Sequence, residues 1–156
     1  TQTGARVKRV EKYIGSEPFM LTYGDGVSDI DLNALLAQHR ASDKLVTLTG
    51  IQPGGRFGVL DLDESQSTVT GFREKAREDG GWINGGFMVM EPEVFRYLSA
   101  EEGCVLEREP MEILAAEGKL GVYKHEGFWQ CMDTQRDKDR LEVLWNGGHA
   151  PWKVWP

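Results

Sequence analysis

Phe19-Met20-Leu21-Thr22-Tyr23-Gly24-Asp25-Gly26, FMLTYGDG, is a short apolar and aromatic run that stops in a tight turn. That is the pattern of a buried strand, with Asp25 at its carboxyl end. Beyond it, Ser28, Asp29 and Asp31 offer N-cap oxygens, and Leu32, Leu35, Leu36 and His39 recur at helical spacing, so a helix over about 31–41 is expected. Leu45 to Ile51 is β-rich with threonines and reads as the next strand. Strand, helix and strand in succession begin an α/β order.

The rest of the chain continues it. Val59 to Asp63 and Thr68 to Arg73 alternate around Glu64-Ser65-Gln66-Ser67, which predicts a hairpin. Trp82 to Met90 makes a further strand, interrupted by Gly85-Gly86. Pro92 fits the first position of a short amphipathic stretch carrying Val94, Phe95 and Leu98, and Pro110 opens a helix with Met111, Ile113 and Leu114, closed by Gly118. Leu120 to Lys124 is a strand, and Thr134 caps a last helix with Leu141, Leu144 and Trp145 on one face. The order points to an α/β chain with a mixed sheet.

At about 100–200 residues per domain, 156 residues allow one domain or a piece of a larger one. The 25 acidic against 18 basic residues leave a net charge of −7, which repels a phosphate backbone and argues against nucleic acid as a partner. No stretch approaches the roughly 20 apolar residues of a membrane span. TQTGARVKRV lacks the apolar region of a signal peptide, so a cytoplasmic protein with no membrane partner is expected. Cys104 and Cys131 fit no metal-ligand spacing and read as reduced structural thiols. The chain opens on Thr1 in mid-pattern, as an excerpt would.

Asp25 in YGDG and Asp133 in CMDT stand at element junctions. A carboxylate at the carboxyl end of a buried strand faces the crevice where α/β sheets bind ligands, and two such oxygens suit a magnesium-phosphate complex. Either one also fits an ordinary turn or cap aspartate. Glu74 and Lys75 end one arm of the hairpin, where glutamate could accept from hydroxyls and lysine could meet a phosphate; a solvated strand end fits as well. Asn84-Gly85-Gly86 offers a carboxamide and bare backbone to a polyhydroxyl ligand, or simply a β-bulge. Gly54-Gly55-Arg56-Phe57-Gly58 admits close backbone approach to a ligand or a hairpin-entry loop. His39, His125 and His149 show no metal or triad spacing and read as structural. Trp129, Trp145, Trp152 and Trp155 crowd the carboxyl-terminal end, which needs a surface to cover, either its own domain or a neighbouring subunit of a homo-oligomer.

Seven segments stand in a telling order: MLTYGDGVSD, QPGGRFGVLD, GFREK, WINGGFMVMEPEV, EREPMEIL, GFWQCMDTQRDK and APWKVW. The series resembles the sugar-1-phosphate nucleotidyltransferases, and among them the glucose-1-phosphate cytidylyltransferase branch, over essentially the whole chain. The resemblance implies a three-layer α/β sandwich around a mixed, mostly parallel sheet, incomplete at its amino-terminal side. Residues 1–156 would be the carboxyl-terminal, sugar-phosphate-binding part of the domain, with about 127–156 as an extension. It implies transfer of CMP from CTP to α-D-glucose 1-phosphate with Mg2+, and no nucleophilic side chain. By the same likeness Asp25 and Asp133 hold the metal, and Thr1, Thr3, Arg6 and Gly24 lie near the nucleotide. Gly58, Glu74, Asn84 and Gly85 meet glucose, and Lys75 its phosphate.

Two departures bear on this. Ala76 stands where the family usually has proline after Glu-Lys, and the family's G-x-G-T-R loop, with the lysine that follows it, has no counterpart in the 156 residues. Backbone amides of such a loop cradle a triphosphate. The chain by itself is therefore expected not to turn over. A thymidylyltransferase of the same family, or a non-catalytic sugar-phosphate-binding or assembly module, are the other readings.

Overall fold

The computed structural model describes residues 1–52, 58–62, 65, 67–74 and 81–156, with backbone alone for 58–62 and 72–74. In chain order the elements are α1 (Thr3–Val10), β1 (Phe19–Leu21), β2 (Gly26–Ser28), α2 (Leu32–Arg40), β3 (Val46–Ile51), β4 (Gly58–Leu62) and β5 (Val69–Glu74). They continue with β6 (Ile83–Met90), a 3-10 turn (Pro92–Tyr97), α3 (Glu109–Ala116), β7 (Leu120–Lys124), β8 (Trp129–Cys131) and α4 (Gln135–Asn146).

The central sheet runs β5-β4-β6-β3-β7, with β1 also paired to β6. Strands β1, β3, β4 and β7 point one way and β5 and β6 the other. The expectation of a mostly parallel sheet thus holds for strand directions but not for neighbours: among the described residues only the β3–β7 ladder is parallel. The cause is β6, which enters the middle of the sheet reversed and borders β3 on one side and β1 and β4 on the other. The crossover β1-α2-β3 therefore spans an intervening strand instead of making a parallel pair.

Alternation along the strands builds a core on each face. Val46, Leu48, Met88, Met90, Leu120 and Val122 meet Val94, Phe95 and Leu98 of the 3-10 region, Met111 and Leu114 of α3, and Val7 of α1. The opposite face packs Val89, Phe87 and Tyr123 against Ile30 and against Leu35 and Leu36 of α2. Helices on both sides of one sheet give three layers. Each leucine fully withdrawn from water contributes about 1.5–3 kcal/mol. His39 is buried, with Nδ1 2.8 Å from Thr47 Oγ1 and Nε2 3.0 Å from Glu91 Oε1, and is structural as expected.

Local signals set the helix ends. Asp31 caps α2 by accepting from the Ala34 N–H, and Gly118, at φ 69°, ends the turn after α3 in a conformation other residues resist. Thr134 and Asp137 form a reciprocal capping box at the start of α4. Helix α1 has no side-chain cap; it is held by burial of Gly4, Ala5 and Val7 and by the Ala5 N–H donating to Cys104 O.

Candidate active-site cleft

A second, two-stranded sheet builds the site. Strands β2 and β8 pair antiparallel, with Gly26 opposite Cys131 and Ser28 opposite Trp129. One step beyond that register, the Met132 N–H donates to Asp25 O at 2.7 Å. Asp25 and Asp133 thereby emerge at the same end of the ribbon. Both line a cleft of about 150 Å3 with Thr22, Tyr23, Asn84, Gly85, Phe87, Trp129 and Cys131.

The opposite wall is a bulge in β6. Between Leu48 opposite Met88 and Gly50 opposite Asn84, the three β6 residues Gly85, Gly86 and Phe87 stand against the single β3 residue Thr49. Asn84 shapes the bulge by accepting from the Gly86 N–H at 2.9 Å. Gly86 has φ 83° and lies against the Tyr23 ring, where an added Cβ would come 2.5 Å from Tyr23 Cδ2. Only glycine fits both demands. Trp129 Nε1 donates to Gly85 O at 2.7 Å and ties ribbon to bulge. The bulge and the ligand-facing wall, alternatives in the sequence, are here one structure.

Under the ribbon, Asp29 Oδ1 accepts from the Phe128 N–H at 2.7 Å and sits 2.9 Å from His125 Nε2. Ser28 Oγ lies 3.2 Å from the same imidazole nitrogen and donates to Phe128 O at 2.7 Å. Serine and aspartate share one nitrogen, so the group is a brace and not a nucleophilic relay.

Asp25, Asn84, Gly85 and Asp133 come together in the cleft. Gly58 and Glu74 are opposite each other across the β4–β5 ladder, and Val59 pairs with Ile83, next to Asn84. Lys75 lies outside the described residues. Thr1 and Arg6 are exposed, and Gly24 is an exposed turn residue outside the cleft lining. Thr3 donates to Glu107 Oε2 at 2.6 Å and accepts from the Leu106 N–H at 3.0 Å. Tyr23, Glu107, Trp129 and Cys131 are site features that residue patterns did not single out. All four stood inside quoted motifs, but nothing local signalled which groups they would reach.

Burial, and then the Glu107 carboxylate, push the Tyr23 phenol well above its ordinary range, so it stays protonated. Burial and then Asp133 push the Cys131 thiol up to about 11. The cleft also holds the carboxylate oxygens of Asp25 and Asp133. Among the described residues no cluster of three or more His, Cys, Asp or Glu is placed to hold a metal. Asp25 and Asp133 are the cleft residues whose carboxylate oxygens could hold a divalent cation.

This three-layer sheet, with paired carboxylates at the mouth of a cleft, belongs to the nucleotidyl transferase family, whose model matches residues 3–130. Within the family, the chain is 47% identical to the glucose-1-phosphate cytidylyltransferase of Salmonella typhi, over 99% of this chain and 60% of that protein. It is 30% identical to the mannose-1-phosphate guanylyltransferase of Mycobacterium tuberculosis, over 96% of this chain and 43% of that one. The crystal structure of HddC from Yersinia pseudotuberculosis superposes with a TM-score of 0.71 at 19% identity, covering 89% of this chain and 60% of that one, a likeness of fold. The chain thus spans about 60% of the length of the cytidylyltransferase it matches.

Proposed function

We propose that this chain is the acceptor-binding and metal-binding part of a glucose-1-phosphate cytidylyltransferase. A phosphate oxygen of glucose 1-phosphate attacks the α-phosphorus of CTP in line. The bond from that phosphorus to the bridging oxygen of the β-phosphate breaks, and CDP-glucose and pyrophosphate leave. Such chemistry asks for positioning and charge neutralisation, not for a nucleophilic side chain.

One observation carries the reading: the β2–β8 register sets Asp25 and Asp133 at one end of a ribbon, across a cleft from Asn84 and Gly85. Asp25 and Asp133 would hold Mg2+, which when bound neutralises developing phosphate charge. Asn84, Gly85, Gly58 and Glu74 take the glucose hydroxyls, and Lys75 the sugar phosphate. Thr1, Thr3, Arg6 and Gly24 border the nucleotide. Val143, Trp145, Val154 and Trp155 are exposed and offer a homo-oligomer its contact surface. Among the described residues no helix is long and apolar enough to cross a membrane.

The 156 residues hold no G-x-G-T-R segment, and on this reading they bind the acceptor without transferring to it. The second reading is a non-catalytic sugar-phosphate-binding or assembly module, for which the exposed Trp145 and Trp155 speak. Joined behind a glycine-rich-loop segment of the family and given CTP, glucose 1-phosphate and Mg2+, the chain should release CDP-glucose and pyrophosphate. No product from that folded fusion would sink the enzyme reading and leave the module. Replacing CTP with TTP separates cytidylyl from thymidylyl transfer.

A further inference from the structure

Asn84 is the cleft residue best suited to read a hydroxyl, yet a carboxamide can present itself in two ways. In this protein its orientation is dictated by a series of hydrogen bonds that begins at Glu107, outside the cleft. Asn84 Nδ2 donates to Tyr23 Oη at 3.3 Å, and Tyr23 Oη donates in turn to Glu107 Oε1 at 2.5 Å. Glu107 Oε2 accepts from Thr3 Oγ1 at 2.6 Å, and Thr3 Oγ1 itself accepts from the Leu106 N–H. An ionised carboxylate can only accept, so it fixes the direction of every bond that leads to it. Tyr23 must spend its one proton on Glu107 and is left with lone pairs for Asn84. The Asn84 amino group must therefore face Tyr23, and its oxygen must face the Gly86 N–H. A flipped carboxamide would set oxygen against the phenol lone pairs and NH2 against an N–H.

We infer that Glu107 and Tyr23 are positioning residues that hold the Asn84 carboxamide in one orientation, so that its second Nδ2–H is the donor offered to a hydroxyl or phosphate oxygen of the acceptor. The inference rests on the proposal that the cleft takes glucose 1-phosphate. Glu107 is not in the cleft lining; it acts on the ligand only through Tyr23. Its place follows from the turn before α3, where Leu106 is fully buried and the next residue is aimed at both Thr3 and Tyr23.

The test has a ligand-free arm and a binding arm, both on the full chain behind a glycine-rich-loop segment. In the first, amide NMR of the Asn84 side chain should show one Nδ2 proton protected from exchange, with the protection lost in Tyr23→Phe and reduced in Glu107→Gln. In the second, calorimetry with glucose 1-phosphate should give a Kd raised roughly tenfold by Tyr23→Phe, the worth of one oriented hydrogen bond. Glu107→Gln should raise it several-fold, and Glu107→Asp, which keeps the carboxylate, should recover part of the loss. In an Asn84→Ala background Tyr23→Phe should change nothing further. Unchanged Asn84 protection in both variants would overturn the inference, as would a Tyr23→Phe effect of equal size with Asn84 absent. If the unsubstituted protein binds no glucose 1-phosphate, the acceptor reading falls and the positioning role falls with it. If it binds and Tyr23→Phe binds as well, the inference alone is wrong. Unfolding midpoints recorded alongside separate a folding defect from a positioning one.

Discussion

The central sheet and the β2–β8 ribbon are held by different forces. Every residue of β3 is buried, and the cores on its two faces are almost wholly apolar. None of the six ribbon residues is buried. The ribbon is fixed instead by directed polar contacts: Asp29 on the Phe128 N–H, Ser28 on Phe128 O, Trp129 on Gly85 O and the Met132 N–H on Asp25 O. Non-directional burial stabilises the scaffold, and hydrogen bonds, each modest in net energy but strict in geometry, aim the site. Residues that make the ribbon useful should therefore be separable from residues that make the protein stable.

The largest expected effect breaks function alone. Asp25→Asn or Asp133→Asn in the loop-supplied enzyme should lower CDP-glucose formation by on the order of 1,000-fold, several kcal/mol of barrier, with the unfolding midpoint nearly unchanged because both carboxylates are exposed. A parallel loss of stability would deny that the two regions are separable. Next comes the scaffold: Leu48→Ala, at a fully buried position, should cost about 2–5 kcal/mol in denaturant unfolding while acceptor affinity of the folded fraction holds. Trp129→Phe removes the donor to Gly85 O and should cost about 1 kcal/mol, with a measurable loss of glucose 1-phosphate affinity in calorimetry. A change in stability without a change in affinity would mean that the bulge does not need the ribbon.

The smallest effect is at α4. Asp137 has its carboxyl held below the ordinary value, chiefly by the Thr134 hydroxyl and then by the Thr134 N–H. A carboxyl depressed in the folded state adds stability that is complete above its unfolded value, about pH 4, and fades as pH falls through the folded value. Far-ultraviolet circular dichroism should show Asp137→Ala less helical than the parent at neutral pH, with the two converging in acid. A difference that persists undiminished at low pH would assign the cap to something other than the charge.

The sheet was legible where its elements are long and patterned. Leu45 to Ile51, Trp82 to Met90 and Leu120 to Lys124 contain β3, β6 and β7, and the cap residues Asp31 and Thr134 stand where expected. Helix α1 was not legible: with no cap side chain at Gln2, its support comes from burial of Ala5 and Val7 and from contacts such as Thr3 on Glu107. Three-residue strands such as β2 and β8 carry too few positions for a period to register. The lining of the cleft was legible as types of residue, Asp25 and Asp133 from their junctions and Asn84 from its place before Gly85-Gly86, and the structure brings the three to one cleft. What joins them was not: Trp129 reads as one more tail aromatic until its indole meets Gly85, and Glu107 as one more surface acid until Tyr23 reaches it. Trp152 stacks on Phe128 and on Trp145, with ring centres 5.5 and 6.4 Å apart, so part of the tryptophan-rich end packs within the 127–156 segment.

The ribbon also sets a timetable. Its strands lie far apart in the sequence, β2 soon after β1 and β8 just before α4. Closing so long a loop is slow and yields only a short ladder. As the polypeptide leaves the ribosome, the sheet from β1 to β7 can collapse while Asp25 still waits for its counterpart. Asp133 joins it only after β8 has been made, so the cleft should mature after the sheet and be lost when β8 detaches.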